Sequence, residues 1–214
     1  MMNNNLKRFV IYFGGMVSVS FGIVLCAECG LGISPISGIP FVLKEILPLS
    51  FGQLTMMFHL INTILQILIL KKISDIKVLL QIPIAFVFGG LIDLIKSFLV
   101  INQESIWMQG MALGASIVFT AIGMVMMVRM NLVQNPPDGL VRVVSISTGV
   151  EFGKVKIFYD VTCAVITIVI GTTFLHQLYG IGIATVASAL FVGRFVSAIG
   201  NVIDRTRFDI NKLE

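Results

Sequence analysis

Ten polar side chains set in or beside long apolar runs carry whatever chemistry this chain has: Ser34, Ser37, His59, Asn62, Asp93, Asn135, Asp138, Tyr159, Asp160 and Arg194. An ionisable group at the centre of a bilayer costs roughly 2.5–3.5 kcal/mol on insertion scales, so its presence points to pairing, a proton relay or solute binding. Asp93 and Arg194 each fall inside an apolar run. An Asp–Arg pair would offset much of the insertion cost. It would serve either to fix helix register or to couple a solute or a proton. His59 and Asp160 occupy comparable places in two other runs, each directly after an aromatic, Phe58 and Tyr159. Asn62 shares the helical face of His59 by i, i+3 spacing. A histidine there either titrates near neutral pH or simply hydrogen-bonds between helices.

Other chemistries find little support. Cys26 and Cys29 form a CxxC at the end of an apolar run, with no second pair to complete a zinc site, and read as apolar filling rather than redox or metal chemistry. Cys163 reads as packing. No HExxH, GxSxG or Walker pattern occurs, so an enzyme is not expected, and neither a cofactor nor a metal site is implied.

The elements that position these residues follow from composition. The 214 residues are 57% hydrophobic and 12% charged, with mean hydropathy +0.99. A soluble domain carries about a quarter charged residues, so too little polar surface exists here to coat a globule in water. Apolar segments at approximately 9–28, 52–70, 78–100, 107–129, 155–175 and 181–203 are each long enough to span a bilayer. The first follows Lys7-Arg8 like a secretory leader, yet reads as a span because the repeat described next uses it. Small residues on the first span (Gly14, Ser18, Gly22) and the fourth (Gly110, Gly114, Ala115) read as packing seams. The net charge of +4 reflects short juxtamembrane groups rather than nucleic-acid binding. With a cytoplasmic N-terminus, Lys7, Arg8, Lys71, Lys72, Lys77, Arg129, Arg142, Lys154, Lys156, Arg205, Arg207 and Lys212 lie inside and only Lys44 lies outside. That bias places both termini in the cytoplasm.

A shift of 101 residues aligns the chain with itself. Gly22 matches Gly123, Val24 Val125, Leu31 Leu132, Pro35 Pro136, Gly38 Gly139, Val42 Val143 and Phe51-Gly52 Phe152-Gly153; Phe58 falls on Tyr159 and His59 on Asp160. A shift of 104 aligns Gly89 with Gly193. Residues 1–103 and 104–214 thus form two three-span repeats, and an odd span number sets the second upside down. The expected fold is all-α: a polytopic membrane protein of six transmembrane helices in two inverted repeats. The loop segments 34–48 and 135–149 open on Ser-Pro and Asn-Pro, which start helices. Each reads as a re-entrant half-helix, the alternative being a helix flat on the membrane surface.

The run GISPISGIPFVL, then SFGQLTMMFHLIN with LQILIL and a Lys pair, then a third span bearing Gln81, Gly89 and Asp93, resembles the YczE/YyaS/YitT group of bacterial integral membrane proteins. The resemblance covers nearly the whole chain and implies a multi-pass protein of the bacterial cytoplasmic membrane. It implies no substrate or reaction. Paired broken segments in inverted repeats are the plan of many secondary transporters. The functional expectation is therefore a transporter or permease for a small solute, bound between the repeats by the ten residues named above. A passive channel and a non-transporting scaffold or regulator are the alternatives. The expected partners are the lipid bilayer, a small-molecule solute and a second copy in a homodimer.

Overall fold

A computed structural model describes residues 4–71, 76–99, 101 and 105–205. The expected boundary between residues 103 and 104 lies outside them. The described chain is all helical: α1 (Asn4–Glu28), α2 (Pro35–Leu43), α3 (Phe51–Leu70), α4 (Ile76–Leu79), α5 (Gln81–Phe98), α6 (Ile106–Met130), α7 (Pro136–Thr148), α8 (Phe152–Phe174) and α9 (Ile183–Arg205). Six helices are long and apolar enough to cross a membrane: α1, α3, α4 with α5, α6, α8 and α9. Large apolar side chains point outward from them; Phe98 is 82% exposed and Trp107 80%. Bare apolar surface on this scale needs lipid as its solvent.

Helix starts obey the sequence shift. Pro35 and Pro136 open the short helices, and Phe51 and Phe152 open the spans that follow. Proline suits a first turn because its missing N–H would have no intrahelical partner there. Ser50 and Gln53 close a capping box on α3, with Gln53 N–H donating to Ser50 Oγ at 3.0 Å and Ser50 N–H to Gln53 Oε1 at 2.9 Å. The first short helix stops at Leu43, and turns fill the rest of the expected segment. Gly149, at φ +70°, ends the second short helix in the left-handed conformation that glycine adopts freely.

The most extensive helix pair is α1 with α6. Next to it, α5 flanks α1 and α9 flanks α6. Each short helix crosses to the other half, α2 packing on α8 and α7 on α3, and each also touches the span of its own half, α2 on α3 and α7 on α8. Exchanging the halves therefore maps most helix pairs onto one another. Gly22 abuts Ser116 and Thr120, while Gly123 abuts Gly15 and Val19, the residues 101 earlier. Ser18 donates a 2.7 Å hydrogen bond to the carbonyl of Phe119, its own counterpart. Gly38 lies against Thr167, and Gly139 against Gln66, again a pair related by the shift. Thr167 sits about 10 Å along α8 from its Phe174 end. The first short helix thus lies alongside that span, not across its end.

The seam on α6 differs from the expected one. Gly110 and Gly114 face open space, and Ser116, Thr120 and Gly123 make the contact instead. The two sets fall on opposite sides of the helix, because residues two apart are separated by about 200°. A Cβ at Gly22 would come within 2.8 Å of the Ser116 carbonyl oxygen. Gly22→Leu is expected to destabilise the fold by about 1–3 kcal/mol or more through overpacking, while Gly114→Leu leaves it unchanged. Thermal unfolding of both variants in detergent, beside the parent chain, measures the difference.

Candidate functional site

The inward face of α3 is polar in a helix that is otherwise apolar. Thr55, His59, Asn62, Thr63 and Gln66 follow helical spacing, and all are buried. Lipid cannot satisfy such groups, so they must turn toward other protein groups. Gln66 and Gln81 exchange amide hydrogen bonds: Gln66 Nε2 donates to Gln81 Oε1 at 2.8 Å and Gln81 Nε2 to Gln66 Oε1 at 3.0 Å. Gln66 Nε2 also donates to the Pro136 carbonyl at 3.0 Å, which ties the first turn of α7 to α3. Thr63 Oγ1 donates to the His59 carbonyl at 3.0 Å and lies 3.2 Å from Gln81 Oε1.

Outward along the same face the cluster gains charge. Tyr159 Oη donates to Asn62 Oδ1 at 2.7 Å, joining α8 to α3. Lys156 Nζ donates to Asp138 Oδ1 at 3.0 Å and lies 3.3 Å from Asp160 Oδ1. Asp138 stands in the first turn of α7, where a carboxylate favours the helix dipole. It is near enough to His59 to act on it electrostatically. The His59 ring packs 5.1 Å from the Phe88 ring. Among the described residues one buried polar atom of this cluster, His59 Nδ1, has no hydrogen-bond partner, while Asp160 Oδ1 has only the Lys156 ammonium at 3.3 Å. An unpaired polar atom in a dry interior costs roughly 1–3 kcal/mol.

Of the ten expected residues, His59, Asn62, Asp138, Tyr159 and Asp160 come together here, and Asn135 stands at the start of α7 beside them. The other four lie elsewhere. Ser34 donates to Ser37 at 3.1 Å at the start of α2. Ser34 also lines a cavity of about 30 Å³ among Cys26, Ser116, Thr120 and Ser188, too small for a solute. The expected Asp93–Arg194 pair does not form. The Asp93 carboxylate instead caps α3, accepting from the Ser50 hydroxyl and from the Gly52 N–H at 2.8 Å. Arg194 is exposed on α9, 5.9 Å from the Phe191 ring, with no carboxylate in ion-pair reach among the described residues.

Lys44 and Lys96 line an open cavity of about 680 Å³ with Ser50, Gln53 and Asp93. Burial, with the neighbouring Lys96 ammonium, pushes Lys44 below its ordinary value. Cys26 and Cys29 are buried free thiols, and Cys29 donates to the Cys26 carbonyl at 3.0 Å. Among the described residues no three His, Cys, Asp or Glu side chains converge as a metal site would need.

Sequence reasoning missed Thr63, Gln66 and Lys156. Gln66 was legible as the seventh residue after His59, on the same face. Lys156 counted only as a topology signal, although two carboxylates hold it.

Six apolar spans around a buried polar junction define an integral membrane protein. The chain belongs to a family of unknown function (DUF6198), which matches residues 6–201. No curated protein matches it, and no solved structure does.

Removing Gln66 would leave the Gln81 amide without its partner and cut the tie to the Pro136 carbonyl. Gln66→Leu is expected to cost about 1–3 kcal/mol for the buried groups left unpaired, and adding Gln81→Leu should recover part of that loss. A double-mutant cycle on thermal stability in detergent reads the coupling.

Proposed function

We propose that this chain is a secondary transporter or permease for a small polar solute, built as two inverted three-span repeats in the bacterial cytoplasmic membrane. The observation that carries the proposal is the charged and polar cluster of His59, Asn62, Asp138, Lys156, Tyr159 and Asp160. It is half-buried among apolar spans, it sits where a short helix begins, and its His59 Nδ1 has no hydrogen-bond partner among the described residues. A purely structural cluster would be expected to close its own hydrogen bonds. Groups that await a solute or a proton need not. In this proposal α2 and α7 re-enter from opposite faces, and both termini are cytoplasmic, as the excess of inner Lys and Arg supports. The resemblance to the YczE/YyaS/YitT group belongs to the same proposal and adds no substrate.

A second reading, a scaffold or regulator acting through a membrane partner, is favoured by Arg194. It is exposed near the middle of α9 without a carboxylate among the described residues. A second copy or a partner helix would supply the cover that lipid does not.

Purified protein in liposomes, assayed for uptake of a panel of labelled small polar solutes with and without a pH gradient, decides between these. Gradient-dependent uptake is expected, with a loss of at least about tenfold in His59→Leu and in Asp160→Asn at unchanged thermal stability, as for other positioned proton-transfer groups. Uptake that ignores the gradient assigns a passive channel. No uptake of any solute, with a stable co-purifying partner, overturns transport in favour of the scaffold.

A further inference from the structure

The exchange of halves that describes most of the packing fails at one seam. In the first half α3 and α5 close on two glycines. A Cβ at Gly89 would stand 3.0 Å from the Met56 Cβ and against the Gly52 backbone, so only glycine permits the approach. Asp93 then latches the seam by holding the Ser50 hydroxyl and the Gly52 N–H from across it.

The second half carries the same small residues without the contact. Gly153 is the counterpart of Gly52, Ile157 of Met56 and Gly193 of Gly89. A Cβ at Gly193 would meet nothing within 4 Å, and one at Gly153 only the nearby Glu151 carboxylate at 3.8 Å. The α8 and α9 helices share no seam of the kind that joins α3 to α5. Among the described residues nothing fills the room that Gly193 leaves. Ser197 stands where the latch residue Asp93 would be.

We propose that the α8–α9 seam is a gate. In a second state α8 and α9 close on Gly153 and Gly193, while α3 and α5 part at Gly52 and Gly89. What covers the free face of α9 is then α8 of the same chain, in the geometry that the first half already displays. The polar cluster between α3, α7 and α8 is thereby reached from one side of the protein in one state and from the other side in the second, by movement of packed helices. Because only the first seam has a carboxylate latch, the described arrangement is the resting one. The inference rests on the transport proposal for its purpose, but its test does not depend on flux.

The test uses the full chain in liposomes with Cys26, Cys29 and Cys163 replaced by Ala. The pair Gln53→Cys/Ser97→Cys, which lines one cavity at the first seam, reports that seam, and the counterparts Lys154→Cys/Asn201→Cys report the second, so that no reporter adds a side chain at the glycines. With a short bis-maleimide reagent the first pair is expected to cross-link at once and the second slowly, within one chain. Adding Asp93→Asn should speed the second pair and slow the first. Gly193→Leu and Gly90→Leu both fill space that is empty in the resting state, so both should keep the parent melting temperature. Only Gly193→Leu should then abolish the Asp93→Asn effect on the first pair, and any uptake.

A second pair that never cross-links while the first does overturns the gate. So does a second pair that cross-links only between two chains, which assigns the α9 face to a dimer. Intramolecular cross-linking of the second pair without uptake of any solute keeps the gate and removes the transport reading.

Discussion

Apolar helices in a bilayer gain nothing from one another that lipid does not also offer, so their association depends on close backbone approach and on hydrogen bonds between them. In this protein that approach is made where α1 crosses α6. Gly22 meets the backbone at Ser116 and Thr120, and Gly123 meets it at Gly15 and Val19. Between them the Ser18 hydroxyl reaches the Phe119 carbonyl. That contact joins two positions related by the 101-residue shift. The flanking helices α5 and α9 take their places from this crossing.

The second constraint is the exchange of short helices. Gly38 seats α2 against Thr167 of α8, and Gly139 seats α7 against Gln66 of α3. The geometry is shared but the chemistry is not. Thr167 spends its hydroxyl on its own helix, at the Cys163 carbonyl 2.8 Å away. Gln66 is long enough to reach Gln81 and the Pro136 carbonyl together. One half is therefore closed by packing alone, and the other carries a polar network. Divergence here and at Ser37/Asp138, Thr55/Lys156 and Asn62/Cys163 places the candidate site at the α3–α7 junction.

Much of this was legible in the sequence. Spans are read from hydropathy to within a few residues, the one expected from 155 beginning at Phe152, and Pro35 and Pro136 mark the starts of both short helices. The short helices were visible as elements because Pro and Gly punctuate both. What the sequence did not reveal was rotation about each helix axis. Gly110 and Gly114 looked like a seam but face outward, since small residues on a lipid face read the same as small residues on an interface. The Asp93–Arg194 expectation failed because the two seams differ: α5 packs on α3 and carries Asp93 to the N-terminus of α3, whereas α9 has no equivalent seam with α8 and Arg194 stays exposed. Asp93 found the open N–H groups of α3, a nearer source of positive potential than any arginine.

Equivalent positions with unlike charge explain two further ion pairs. Glu28, in the last turn of α1, lies 3.9 Å from Lys96. Its counterpart in the last turn of α6 is Arg129, which lies 2.6 Å from Asp204 and donates to the Gly200 carbonyl at 2.8 Å. Gly200 is the counterpart of Lys96. The same place in the packing is thus kept by an acid on the first span of one half and by a base on the first span of the other. A repeat whose copies faced the same way would have no reason to reverse that sign. The opposite orientation of the two copies proposed above would give such a reversal, with Arg129 itself one of the basic residues counted on the inner side.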